Sequence, residues 1–292
     1  MSLPPPAPNQ AYCKVSALEG GRVNMDLDQL IDVAKPGERV DMPDMIFLLR
    51  HSTTNTPFLF DLGVRSDPEN LPEGPRAVNA RMGIKLKGQP DLRATLAQGG
   101  LAPDAIQHVI ISHIHYDHTG DPSLLPAATF HLGGDAQPTI TRLTPHFHDS
   151  IFAIATPPER TRYLDTAAWP PLGPFPHALD FFGDGSVYIV NASGHVPGHI
   201  NLLARTSADG AWIYLAGDSA HDWRVLRGEA HFAHHPVVGC LHADPEESMR
   251  HVGRIRELLA NSRVRVLLAH DIPWYNENKG GPAFWPGEIP SL

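Results

Sequence analysis

Ser112-His113-Ile114-His115-Tyr116-Asp117-His118-Thr119-Gly120 places four potential metal ligands within six residues, directly behind the apolar run Val109-Ile110-Ile111. A short apolar run of this kind reads as a buried strand, here over residues 105–112. The histidines therefore fall at its carboxyl end, where layered α/β structures commonly open their sites. Imidazole and carboxylate are ligands that Zn(II), Fe(II) or Mn(II) all accept, and a turn after a strand can aim alternate side chains at two adjacent ions. The helical HExxH spacing is absent, which argues against a peptidase of that kind.

Three later stretches repeat the arrangement of apolar run or glycine turn followed by a candidate ligand: Gly194-His195-Val196-Pro197-Gly198-His199, Leu215-Ala216-Gly217-Asp218 and Leu267-Leu268-Ala269-His270-Asp271. Glycine beside His195 and Asp218 permits the close backbone approach that a compact metal centre requires. Further strands are expected over 45–50, 57–61, 130–132, 186–192, 199–205, 212–216 and 264–269. Asp91 is placed to cap a helix over 92–98, and a second helix is expected over 246–260, where Met249, Val252, Ile255 and Leu258 recur at three-to-four spacing. Residues 67–89 and 141–177, rich in Pro and Gly with little periodicity, read as long loops.

A chain of 292 residues can hold one large domain or two small ones. Ligands spread from His113 to His270 must converge, so a single domain over 1–292 is expected, with a flexible arm over about 1–10 that carries Pro4, Pro5, Pro6 and Pro8. The 23 basic against 32 acidic residues leave a net charge of −9, with no long basic run, which disfavours nucleic acid and acidic membranes as partners. Cys13 and Cys240 are the two cysteines, so no disulfide framework or CxxC metal site exists. No signal-peptide pattern and no run of about 18 apolar residues is present. A soluble, cytoplasmic protein is the expectation. The 18 histidines demand a specific reason.

The ordered set HxHxDH, GHxxGH, GD and a final strand followed by His resembles the metallo-β-lactamase fold superfamily, and most closely its N-acyl homoserine lactone lactonase branch. The resemblance implies an α/β fold of the αββα sandwich type with a dinuclear site at one edge. It also implies His113, His115 and His195 on one metal, Asp117, His118 and His270 on the other, and Asp218 bridging. Two divalent cations, with zinc expected, would lower the pKa of a shared water and make hydrolysis the natural chemistry. The implied activity is opening of the lactone ring of acyl-lactones, with Asp117 passing a proton to the leaving alkoxide. The lactonases usually carry a tyrosine three residues beyond the bridging aspartate; His221 stands there, and is taken as its catalytic counterpart, with Tyr116 and Tyr214 as possible substitutes.

His115 occupies the position where the redox-active di-iron branch has glutamate, and Asp218 is a ligand that class B β-lactamases generally lack. A glyoxalase II-like thioesterase or a general ester hydrolase shares every ligand, so the substrate remains open between these and a lactone. An inactive metal-binding interaction module is the non-enzyme alternative. Asp61 and His199 are candidates to support ligands from behind, and Asp271 to cap the following turn. The paired His146/His148 and His234/His235 lack an added carboxylate and read as loop or surface groups. Met25, Leu27, Leu30, Ile31 and the aromatics Phe147, Phe152, Tyr163, Trp169 and Phe175 are candidates to wall an acyl pocket.

Overall fold

The computed structural model describes residues 2–143, 156–236 and 238–292. Among the described residues, twelve strands form two sheets: β1 (Cys13–Asp26), β2 (Arg39–His51), β3 (Pro57–Phe60), β4 (Lys85–Lys87), β5 (His108–Ile110), β6 (Thr129–Gly133) and β7 (Thr161–Leu164) in one, and β8 (Ala178–Asp180), β9 (Val187–Asn191), β10 (Ile200–Arg205), β11 (Trp212–Leu215) and β12 (Val264–Leu267) in the other. The first runs in the order β4-β1-β2-β3-β5-β6-β7, the second β12-β11-β10-β9-β8. Both are mixed, because β3, β5, β6 and β7 pair in parallel, as do β11 and β12, while the other pairs are antiparallel.

Side-chain alternation builds the layers. Along β2, Met45, Phe47 and Leu49 face the second sheet and meet Ile200, Leu202 and Ala204 of β10 in the central core. The intervening Ile46 and Leu48 face outward, onto Leu92 and Leu96 of the helix Leu92–Ala97. On the far side Leu203, Trp212 and Val264 meet Val252, Ile255 and Leu258 of the helix Pro245–Leu259. Strands whose two faces are both covered become near-continuously apolar, which explains the IFLL and VII runs. The result is the αββα sandwich.

The expected elements differ in several places, and the loop expected over 141–177 carries the strand β7 among its described residues. Residues 67–89 contain the helix Glu73–Met82 and β4 rather than a continuous loop. β1 has no counterpart among the expected strands; it packs antiparallel on β2 with a bulge at Gly20-Gly21. The proline-rich start is also specifically held, since the buried Arg205 guanidinium donates to the carbonyls of Pro4 and Pro5 and stacks over Trp212. Phe147, Phe152, His146 and His148 lie outside the described residues. Among the described residues, no helix is long and apolar enough to cross a membrane.

Candidate metal centre

Every candidate ligand sits at or just past a strand end on one edge of the sandwich. β5 ends at Ile110, and the chain turns through His113 and His115 into the short helix Tyr116–Thr119, which carries Asp117 and His118. His195 follows β9, Asp218 follows β11 and His270 follows β12. Gly217 makes the Asp218 turn possible. Its φ is 48°, and a Cβ there would lie 2.8 Å from Nε2 of His199, the same atom that accepts from the Asp218 backbone N–H.

The seven side chains gather in two sets. His113, His115, His195 and Asp218 form one, and Asp117, His118 and His270 the other, with the donor atoms of each set within 4.8 Å of one another. Asp218 faces both. Its Oδ2 lies 3.7 Å from His113 Nε2 and 3.6 Å from His195 Nε2, while Oδ1 lies 3.4 Å from His118 Nε2 and 3.5 Å from His270 Nε2. Asp117 Oδ2 is 3.8 Å from His270 Nε2.

These atoms fit cations better than they fit each other. In the first set His115 Nδ1 lies 2.8 Å from His113 Nε2 and 3.2 Å from His195 Nε2, so three imidazole nitrogens converge on one point with at most one proton between any two. In the second, His118 Nε2 and Asp218 Oδ1 are buried without an aligned hydrogen bond. Such orphaned polar atoms are expensive in a sealed interior unless an ion or water completes them. Without an ion, the protein redistributes protons. Burial and neighbouring imidazoles push His113 and His195 well below the usual histidine range, and burial takes His115 down to about 4. Burial opposes charge on His270 and His118, but the surrounding carboxylates together outweigh it, Asp218 with Asp44 and Asp117 lifting His270 to about 9 and Asp218 with Asp61 lifting His118 well above its usual value.

Supporting contacts hold the outer nitrogens. His118 Nδ1 donates to Asp61 Oδ2 at 2.9 Å, and Asp61 also accepts from Ser112 N and Oγ. His270 Nδ1 donates to the Pro43 carbonyl at 2.8 Å, and Ser112 Oγ lies 3.0 Å from His113 Nδ1. His199 donates to the Ala192 carbonyl while it receives the Asp218 N–H. Asp271 caps the helix Ile272–Asn278. His221 stacks on His270, lies 3.1 Å from Asp218 Oδ2 and borders the cavity above the two sets.

That cavity is about 270 Å³ and is walled by Met25, Leu30, Met42, Met82, Ile84 and Leu241, with Tyr116 and Cys240 alongside. Among the described residues, no lysine or arginine lines it. Leu27 lies instead in the core, and Ile31 faces a neighbouring groove. Phe175 is stacked on Tyr214 deep in the interior, where Tyr214 donates to Asn201 and cannot replace His221. Tyr163 and Trp169 likewise pack beside the cores, away from the cavity. His234 and His235 line the neighbouring groove. Two buried groups escaped sequence reading: His242, wedged against His195, and Asp44, on β2 opposite the Gly20-Gly21 bulge. Neither sits in a pattern that would have marked it.

The chain belongs to the metallo-beta-lactamase superfamily, whose profile matches residues 45–247. It is 37% identical to the gamma-lactamase MBL2 of Gibberella moniliformis, over 56% of this chain and 70% of that protein. It is 31% identical to the gamma-lactamase FDB1 of Fusarium pseudograminearum, over 63% of this chain and 46% of that one. Other relatives are longer still, and the chain spans only about a third of their length. Among solved structures, a mutant of B. thuringiensis AiiA with N-decanoyl-L-homoserine bound at its active site shares the fold, with a TM-score of 0.72 and 21% identity over 94% of this chain and 98% of that one.

Proposed function

We propose that the chain is a dinuclear metal-dependent hydrolase that opens neutral cyclic esters of the acyl-lactone class, such as N-acyl homoserine lactones. The observation that carries this reading is the apolar cavity, free of lysine and arginine among the described residues, that opens directly onto both ligand sets. A glutathione thioester is anionic and would enter this cavity without a cationic partner, which weighs against the thioesterase reading. A cyclic amide is the second reading, favoured by the two gamma-lactamase relatives.

In this reading His113, His115 and His195 would hold one cation and Asp117, His118 and His270 the other, with Asp218, which faces both sets, available to each. When bound, two divalent cations, zinc expected, supply Lewis acidity and make water a competent nucleophile near neutral pH. The remaining work belongs to the chain. The methionine and leucine walls exclude bulk water and seat the apolar part of the substrate. Asp117, which borders the cavity, carries a proton to the leaving oxygen as the ring opens. His221 takes the place of the lactonase tyrosine beside the carbonyl, its ring held by Asp218 and His270.

One metal-loaded preparation assayed on acyl-lactones of varied chain length, lactams, simple esters and glutathione thioesters tests the assignment. Lactones should be turned over fastest; preference for the thioester would reject it. Asp218→Ala should lower turnover by orders of magnitude and reduce metal content below two per chain. Unchanged turnover in that variant would remove Asp218 from its bridging role.

A further inference from the structure

Metal-binding histidines characteristically donate their second ring N–H to an acceptor, which fixes the ring and its tautomer. Here the outer nitrogens of His113, His118 and His270 meet Ser112, Asp61 and Pro43. His195 breaks the pattern. Its Nε2 faces the first ligand set, yet its Nδ1 is buried with no hydrogen-bond partner.

A complementary orphan lies beside it. His242 is 4% exposed, its ring centroid stands 4.7 Å from that of His195 at an interplanar angle of 69°, and its own Nε2 is buried and unpartnered. The His242 ring has little freedom to turn away. It is stacked on Phe232 at 3.7 Å, and its Nδ1 lies 3.0 Å from Ser248 Oγ. The two backbone segments are also tied together, because Ala243 N donates to the His195 carbonyl and Asp244 N to that of Gly194, both at 2.8 Å.

We propose that His242 is the positioning residue for His195: its Nε2 accepts the His195 Nδ1 proton, through one bridging water or after a small rotation, and so holds His195 Nε2 toward the first cation. This rests on reading His195 as a ligand. With its Nε2 lone pair directed at a cation, His195 must carry its proton on Nδ1. One tautomer of His242 then satisfies both orphans, the one that donates from Nδ1 to Ser248 Oγ and leaves Nε2 to accept.

The test uses metal-stripped full-length protein titrated with Zn(II) against a chromophoric chelator, with Co(II) absorption reporting each site's geometry. His242→Leu should weaken the first cation by about 10–100-fold and leave the second near its original affinity. His242→Gln, whose amide oxygen can accept, should recover most of that loss. Unchanged affinity in His242→Leu, or no recovery in His242→Gln, overturns the proposal. So does an equal loss at both sites with a lowered melting temperature of the metal-free protein, since that marks a packing role alone. His195→Ala runs beside them: retention of both cations there would refute the ligand assignment itself and not the geometry of His242.

Discussion

Asp44 is fully buried on β2, and neither carboxylate oxygen has a hydrogen-bond partner. Burial raises its pKa well above the usual carboxylate range, against the pull of His118 and His270. A group whose folded pKa is raised binds its proton more tightly in the folded state, so its contribution to stability is present at low pH and is lost as pH rises toward the folded pKa. In the metal-free protein, Asp44→Asn should therefore match the wild type near pH 4 and become progressively more stable than it toward pH 8, at no more than about 1.4 kcal/mol per pH unit. Urea denaturation at several pH values measures this, and a stability gap that stays constant across the range would contradict it. At this scale the sequence told much about the ligands and little about their supports. His113 to His118 are dense and ordered in the chain, whereas Asp44 and His242 acquire meaning only from what folds against them. Asp61 was legible through the family resemblance, because FDLG stands where that superfamily commonly has an aspartate below the metals; it does reach the second nitrogen of His118.

Among the elements, the strands whose two faces are both buried were legible from their apolar runs, and β1 was not. It is buried on both faces only over Val15–Leu18, then passes through Gly20-Gly21, a pair that reads as a turn, and beyond them fully buries one face only. In the fold those glycines form the bulge opposite Asp44, and bulges bend a strand and re-aim side chains beside active sites. A Cβ on Gly20 would stand 2.6 Å from the Asp44 carbonyl oxygen. Gly20→Ala should thus destabilise the fold by about 1–3 kcal/mol, read as a lower urea midpoint; a midpoint within error of the wild type would show that the hairpin relaxes freely. The helix Glu73–Met82 escaped notice for a different reason. It carries Gly74 and Pro75 in its first turn and buries only Val78 and Met82 as large apolar side chains, too few to show a helical period.

Across the whole molecule, the amino-terminal arm is fastened at Arg205, the far end of β10 from His199. Arg205 is 1% exposed, and its guanidinium is satisfied partly by the Pro4 and Pro5 carbonyls. Removing residues 1–6 would strip those acceptors from a buried charge, at a cost of about 1–3 kcal/mol. The truncated protein should melt at a lower temperature yet bind two cations with unchanged affinity; loss of cation affinity would show that the arm is coupled to the centre. The broad architecture followed from the motifs because ligands separated by more than 150 positions in sequence can meet only at one edge of a shared core.

Most of the cavity's apolar wall comes from parts of the chain that carry no cation donor. Met25, Leu30, Met42, Met82, Ile84 and Leu241 supply wall, and none of them offers a donor atom to either ligand set. Selection can therefore reshape which molecule is admitted by trading one apolar side chain for another, while the reactive apparatus beneath stays intact.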